Sequence, residues 1–253
     1  MNRVERSEKK YGELFGAYDS SAPATDPDLI EIQNRFVFGE VFYHGDLADT
    51  LRELITLVVL TANQTLDQLG AHVGASLNVG VTPEEIKEAL YQCAPYIGFP
   101  KTMSGLDQAD AVFKERGVSL PVESQKRVNE ETRFDEGLKV QKSIFGDVID
   151  QMHKNAPDNQ KHIQQYLSSF CFGDIYTRGG IDLKTRELLT LCVLSALGGC
   201  EGQVKAHILG NLRVGNDKGT LIAAITHCLP YMGFPRTLNA LGSINELIPE
   251  NKE

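Results

Sequence analysis

The chain repeats itself, and no other property of its 253 residues limits the possible folds as much. Phe36-Val-Phe-Gly-Glu-Val-Phe returns as Phe170-Cys-Phe-Gly-Asp-Ile-Tyr, and Arg52-Glu-Leu-Ile-Thr-Leu returns as Arg186-Glu-Leu-Leu-Thr-Leu. Ala71-His72 returns as Ala206-His207, Val79-Gly80 as Val214-Gly215, and Cys93-Ala-Pro-Tyr-Ile-Gly-Phe-Pro as Cys228-Leu-Pro-Tyr-Met-Gly-Phe-Pro. The offset is 134 before the segment 63–67 and 135 after it, so the second copy carries one inserted residue. Ordered matches of this kind mark an internal duplication. The expected organisation is a first domain over 1–117, a charged and apolar-poor connection over 118–137, and a second domain over 138–253.

Each copy reads as helical. The segments 49–62 and 182–197 are almost continuously apolar after a polar start, as in helices buried on most sides. Helices over 67–79 and 201–214 follow, closed by Gly80 and Gly215. Thr82-Pro-Glu-Glu is a strong start, with Thr82 as N-cap and Glu85 at the capping-box position. Asn216-Asp217-Lys218-Gly219 is a weaker one. Pro95 and Pro230 are expected to kink or end the third helix of each copy. Alternating strand patterns are nearly absent, so the fold class is all-α, as two tandem helical domains.

Charge excludes some functions. A net charge of −9 with no basic stripe argues against nucleic acid. The first ten residues lack the apolar core of a signal peptide, and the apolar runs are too short to span a bilayer. Five cysteines without a framework spacing read as free intracellular thiols, so a cytoplasmic protein without a membrane partner is expected. Phosphate loops, dinucleotide motifs and zinc spacings are missing, and no cofactor or metal is expected.

Two features of each copy can carry chemistry. Glu53 and His72 lie 19 residues apart, Glu187 and His207 lie 20 apart, and adjacent antiparallel helices would bring each pair together. A carboxylate that orients an imidazole supports general acid–base work. Cys200 precedes His207 by seven residues on the same helix face, at a helix start where the dipole lowers a thiol pKa. Thr65 and Gln68 stand in the first copy where the second has Cys200 and Gln203, so chemistry is expected in the second copy. Arg186, Gln203 and Tyr231 are candidate substrate-binding residues there. The same side chains have structural readings: a core histidine, a helix-start carboxylate with a neighbouring arginine, and packing tyrosines.

These residues resemble the carboxymuconolactone decarboxylase family, which includes alkylhydroperoxidase D-like proteins. The second copy carries Phe172-Gly-Asp-Ile-Tyr, Leu183-Lys-Thr-Arg-Glu-Leu-Leu-Thr-Leu, His207, Gly215 and Tyr231-Met-Gly-Phe-Pro. The first carries Phe38-Gly-Glu-Val-Phe, Arg52-Glu-Leu, His72, Gly80-Val-Thr-Pro-Glu-Glu and Tyr96-Ile-Gly-Phe-Pro. The resemblance implies homo-oligomers, here a trimer of two-domain chains. It also implies two activities on a small-molecule substrate. One is a cofactor-independent lyase that removes carbon dioxide from a lactone or cyclic carboxylic acid, with Glu187 orienting His207 as proton donor. The other is a thiol-dependent peroxidase using Glu187, Cys200 and His207, although Gln203 replaces the second cysteine of that branch. A non-catalytic oligomeric scaffold is the third reading.

Overall fold

A computed structural model describes residues 1–16 and 25–250. Among these residues there are thirteen α-helices and no strand. The first copy comprises α1 (Arg3–Phe15), α2 (Pro27–Gly39), a 3₁₀ turn over Val41–Tyr43, α3 (Asp49–Asn63), α4 (Leu66–Asn78), α5 (Pro83–Ile97) and α6 (Phe99–Glu115). The second comprises α7 (Arg133–Phe145), α8 (Val148–Asn155), α9 (Lys161–Tyr166), α10 (Leu183–Leu197), α11 (Glu201–Arg213), α12 (Lys218–Met232) and α13 (Phe234–Leu247). α9 runs straight into a π-helical stretch over Leu167–Tyr176. Helix α7 starts within the charged segment that separates the two repeats.

Local signals account for the helix ends. Thr82 and Glu85 form the capping box at the start of α5. The start of α12 is better than its sequence suggested, because Asp217 accepts a hydrogen bond from the Thr220 amide at 2.7 Å. Pro95 and Pro230 do not end their helices. α5 and α12 run two residues further and stop at Gly98 and Gly233, whose φ values of 83° and 80° suit glycine.

The two copies share one core. α3 and α10 lie against each other, α5 of the first copy packs on α10 of the second, and α12 of the second packs on α3 of the first. Ile55, Leu57, Val58, Leu189, Leu191 and Cys192 are all fully buried in this central layer. Each such aliphatic side chain contributes roughly 1.5–3 kcal/mol. The repeated Phe-Gly pair serves a different contact. A Cβ on Gly39 would collide with the Arg3 carbonyl, and one on Gly173 with the Arg133 carbonyl. The glycines thus allow α1 onto α2, and α7 onto the π-helical stretch, and this close packing carries Phe15 and Phe145 to the two histidines.

Candidate active site

Each histidine sits at the same crossing of helices. α3 carries Glu53 and α4 carries His72, and His72 Nδ1 lies 2.8 Å from Glu53 Oε2. In the second copy His207 Nδ1 on α11 lies 2.9 Å from Glu187 Oε2 on α10. Both carboxylates are completely buried. With Nδ1 committed to the carboxylate, Nε2 is the nitrogen left to meet a ligand.

The rings around the histidines come from both copies. His72 is held edge-on between Phe15 of α1, at 5.2 Å, and Tyr231 of α12, at 5.7 Å. His207 is held the same way by Phe145 of α7, at 5.3 Å, and Tyr96 of α5, at 5.8 Å. The tyrosines are therefore exchanged. Tyr231, expected beside His207, belongs to the site of His72, because α12 packs across α3. Sequence reasoning did not find this exchange, since the partners lie more than a hundred residues apart.

The two sites differ behind the histidine. In the second, Tyr176 donates a hydrogen bond to Glu187 Oε1 at 2.7 Å and lies 2.9 Å from both the Tyr96 hydroxyl and Thr190 Oγ1. Both oxygens of Glu187 are thus occupied. The first site has Phe42 at the position of Tyr176, and Glu53 Oε1 is buried with no hydrogen-bond partner among the described residues. Among the described residues the buried Tyr231 hydroxyl likewise has no hydrogen-bond partner: it faces Thr56 without reaching hydrogen-bond geometry. Burial raises the pKa of Tyr96, Tyr176 and Tyr231, and the nearby carboxylate adds to the shift, so all three stay protonated phenols.

His72 opens onto a pocket of about 470 Å³. Its walls are mainly apolar, with Phe15, Phe38, Val37 and Leu60, and its rim carries the amides of Gln33 and Gln68. A concave chamber of a few hundred Å³ that mixes apolar walls with polar side chains such as Asn34 and Thr65 is a typical small-molecule site.

The remaining expected site residues lie elsewhere. Cys200 lines a separate cavity of about 350 Å³ between the start of α11 and α13, with Arg236 and Asn239. Its thiol donates to the Leu194 carbonyl at 3.2 Å, two helical turns from His207, and no hydrogen bond among the described residues joins the pair. Burial pushes this thiol's pKa up and Glu201 pushes it further, so the expected lowering by the helix dipole does not prevail. Gln203 is exposed on α11.

Arg186 is no pocket residue either. It is fully buried and donates to Gln92 Oε1 at 3.0 Å, Glu88 Oε2 at 2.8 Å and the carbonyls of Arg178 and Gly179. It therefore fastens α10 to α5 of the other copy. Arg52, its counterpart, donates to the carbonyls of His44, Gly45 and Leu47 and lies 3.5 Å from His227 Nδ1. His227 Nε2 is 2.9 Å from Thr56 Oγ1.

Both halves match one protein family, and two relatives each match about half of the chain. The model of the carboxymuconolactone decarboxylase family matches residues 27–111 and 161–246. A 4-carboxymuconolactone decarboxylase from Acinetobacter baylyi is 30% identical over 124 residues, which span 49% of this chain and 92% of that protein. A nitrosuccinic acid decarboxylase from Metarhizium robertsii is 26% identical over 124 residues, spanning 47% of this chain and 86% of that protein. With both repeats matched over their helical cores, this chain belongs to the carboxymuconolactone decarboxylase family.

Proposed function

We propose that this chain is a cofactor-independent decarboxylase of a small lactone or cyclic carboxylic acid, and that its working site is the one around His72. The observation that carries this reading is the Glu53–His72 pair opening onto an apolar-walled pocket. The decarboxylase names of two relatives support the reaction class.

The chemistry follows from the walls. A substrate carboxylate against Phe15, Phe38 and Leu60 loses its hydration, while the carbon dioxide it becomes is apolar. The electron pair of the breaking C–C bond passes into the unsaturated ring as a dienolate, whose oxygen can accept hydrogen bonds from Gln33 and Gln68. The imidazolium of His72, held by ionised Glu53, delivers its Nε2 proton to carbon and regains one from solvent. Cys200 takes no part in this step, so the peroxidase reading would need a different cavity.

Carbon dioxide release from a panel of unsaturated lactone acids tests the assignment. His72→Ala is expected to lower kcat/KM about 10²–10⁴-fold, the usual range for a general acid. His207→Ala and Cys200→Ser leave it within a few-fold. Absence of release from every acid overturns the lyase, and loss of activity with His207→Ala alone moves the site to the second copy.

Assembly as a trimer is part of the same proposal. Its support is an apolar pair presented twice, Phe99 with Met103 on α6 and Phe234 with Leu238 on α13, all four exposed. Sedimentation at the monomer mass would count against it.

A further inference from the structure

The two halves differ in one buried hydrogen-bond chain, and the difference locates a further binding site. In the second half the chain is continuous. Arg186 donates to Gln92 Oε1 at 3.0 Å, and Gln92 Nε2 donates to Thr190 Oγ1 at 3.0 Å. Thr190 Oγ1 and the Tyr96 hydroxyl each lie 2.9 Å from the Tyr176 hydroxyl, which passes its own hydrogen to Glu187 Oε1. The Tyr176 oxygen thus donates once and has two neighbours to accept from.

The first half has the same parts but for one atom. Glu53, Thr56 and Tyr231 match Glu187, Thr190 and Tyr96, and Phe42 stands for Tyr176. Burial keeps His227 neutral, so its ring carries a single hydrogen. Arg52 Nη1 lies 3.5 Å from His227 Nδ1, and a guanidinium can only donate, which leaves that hydrogen on Nε2. Nε2 then donates to Thr56 Oγ1 at 2.9 Å, and Thr56 donates to the Arg52 carbonyl at 3.0 Å. Thr56 keeps a lone pair and has no hydrogen left to give. The Tyr231 hydroxyl and Glu53 Oε1 are both buried without a hydrogen-bond partner among the described residues. Buried polar groups are as a rule paired, by solvent where side chains do not reach.

We infer that one water molecule binds in the first half at the place of the Tyr176 hydroxyl, accepting from Tyr231 and donating to Glu53 Oε1 and Thr56 Oγ1. The groups around this place select water over an ion. The occupant must give a hydrogen to the carboxylate, which a bare anion cannot do. It must also take one from the phenol, which a cation cannot do. Water does both, with the three partners usual for a buried molecule. Glu53 is then held at both oxygens, by His72 on one and by solvent on the other, whereas side chains alone hold Glu187. The site does not depend on the reaction assigned to His72, because every group in it belongs to the chain.

A crystal structure of the full chain with ordered solvent is expected to show one water within about 3.2 Å of all three oxygens. Phe42→Tyr is expected to place its hydroxyl there and expel the water. Magnetic relaxation dispersion of the solvent, which counts waters held longer than the protein takes to tumble, is expected to register one fewer in Phe42→Tyr. A Tyr231 hydroxyl bonded directly to Glu53 or Thr56 with no water between them overturns the inference. So does an ion at the site, or an equal count of long-lived waters in the two proteins. The crystal of the unmodified chain decides the matter even if the variant fails to fold. Loss of all decarboxylation leaves the outcome untouched, so the two readings fail separately.

Discussion

At positions 42 and 176 the two halves differ by one hydroxyl, and that atom decides how each buried carboxylate is satisfied. Tyr176 caps Glu187, whereas Glu53, in the half that has Phe42, has His72 as its one side-chain hydrogen-bond partner among the described residues. Phe42→Tyr is expected to stabilise the fold by about 1 kcal/mol through the new bond, and to lower kcat because Glu53 then shares its charge with a second side-chain donor. Denaturant midpoints and steady-state rates would show the two changes moving in opposite directions. Tyr176→Phe is expected to cost roughly 1–3 kcal/mol with kcat unchanged, since it orphans an oxygen outside the proposed site. His227 supplies a pH effect. Burial holds its pKa well below the ordinary imidazole value, with Arg52 and then His72 adding to the shift. The unfolded chain therefore takes up a proton that the folded chain refuses. Stability is full above about pH 6.5 and falls as pH drops below it, by up to about 1.4 kcal/mol per pH unit. Gln92 fills the same position in the first copy, donating to Thr190 at 3.0 Å. His227→Gln is thus expected to keep the contacts and flatten this acid limb in a series of unfolding curves.

At the scale of elements, the cross-copy contact of α5 with α10 holds the most concentrated charge. Glu88 on α5 accepts from Arg186 and from Arg178, and its side chain is only 2% exposed. Glu88→Gln would leave two guanidinium groups without their anion, one fully buried, and is expected to cost about 3–5 kcal/mol in chemical unfolding. The helices themselves were largely legible beforehand: caps and apolar runs put α3, α4, α10 and α11 within a residue or so of their observed ends. The spacing of Glu53 with His72 and of Glu187 with His207 pointed to their meeting, because neighbouring antiparallel helices leave few alternatives. Arg186 and Tyr231 were misplaced for a common reason. Local pattern says which face of a helix is buried, not which copy buries it. The role of Phe42 was equally hidden, since a phenylalanine in place of a tyrosine matters only once its carboxylate neighbour is known.

For the whole molecule, the shared core predicts that neither repeat stands alone. Chains cut between α6 and α7 would expose the central faces of α3 and α10, and each histidine would lose the tyrosine that flanks it. Segments 1–117 and 118–253 expressed apart are therefore expected to be inactive and poorly folded by circular dichroism. Mixed or co-expressed, they are expected to regain activity. Activity in the isolated first segment would show that Tyr231 is dispensable.

The exchanged tyrosines also bear on descent. After most gene duplications, the copy released from selection is free to decay. Here each half supplies a ring to the histidine of the other, so a mutation in either half is felt at both sites. Such a chain can let one of its sites fall silent, yet it cannot discard the half that housed it.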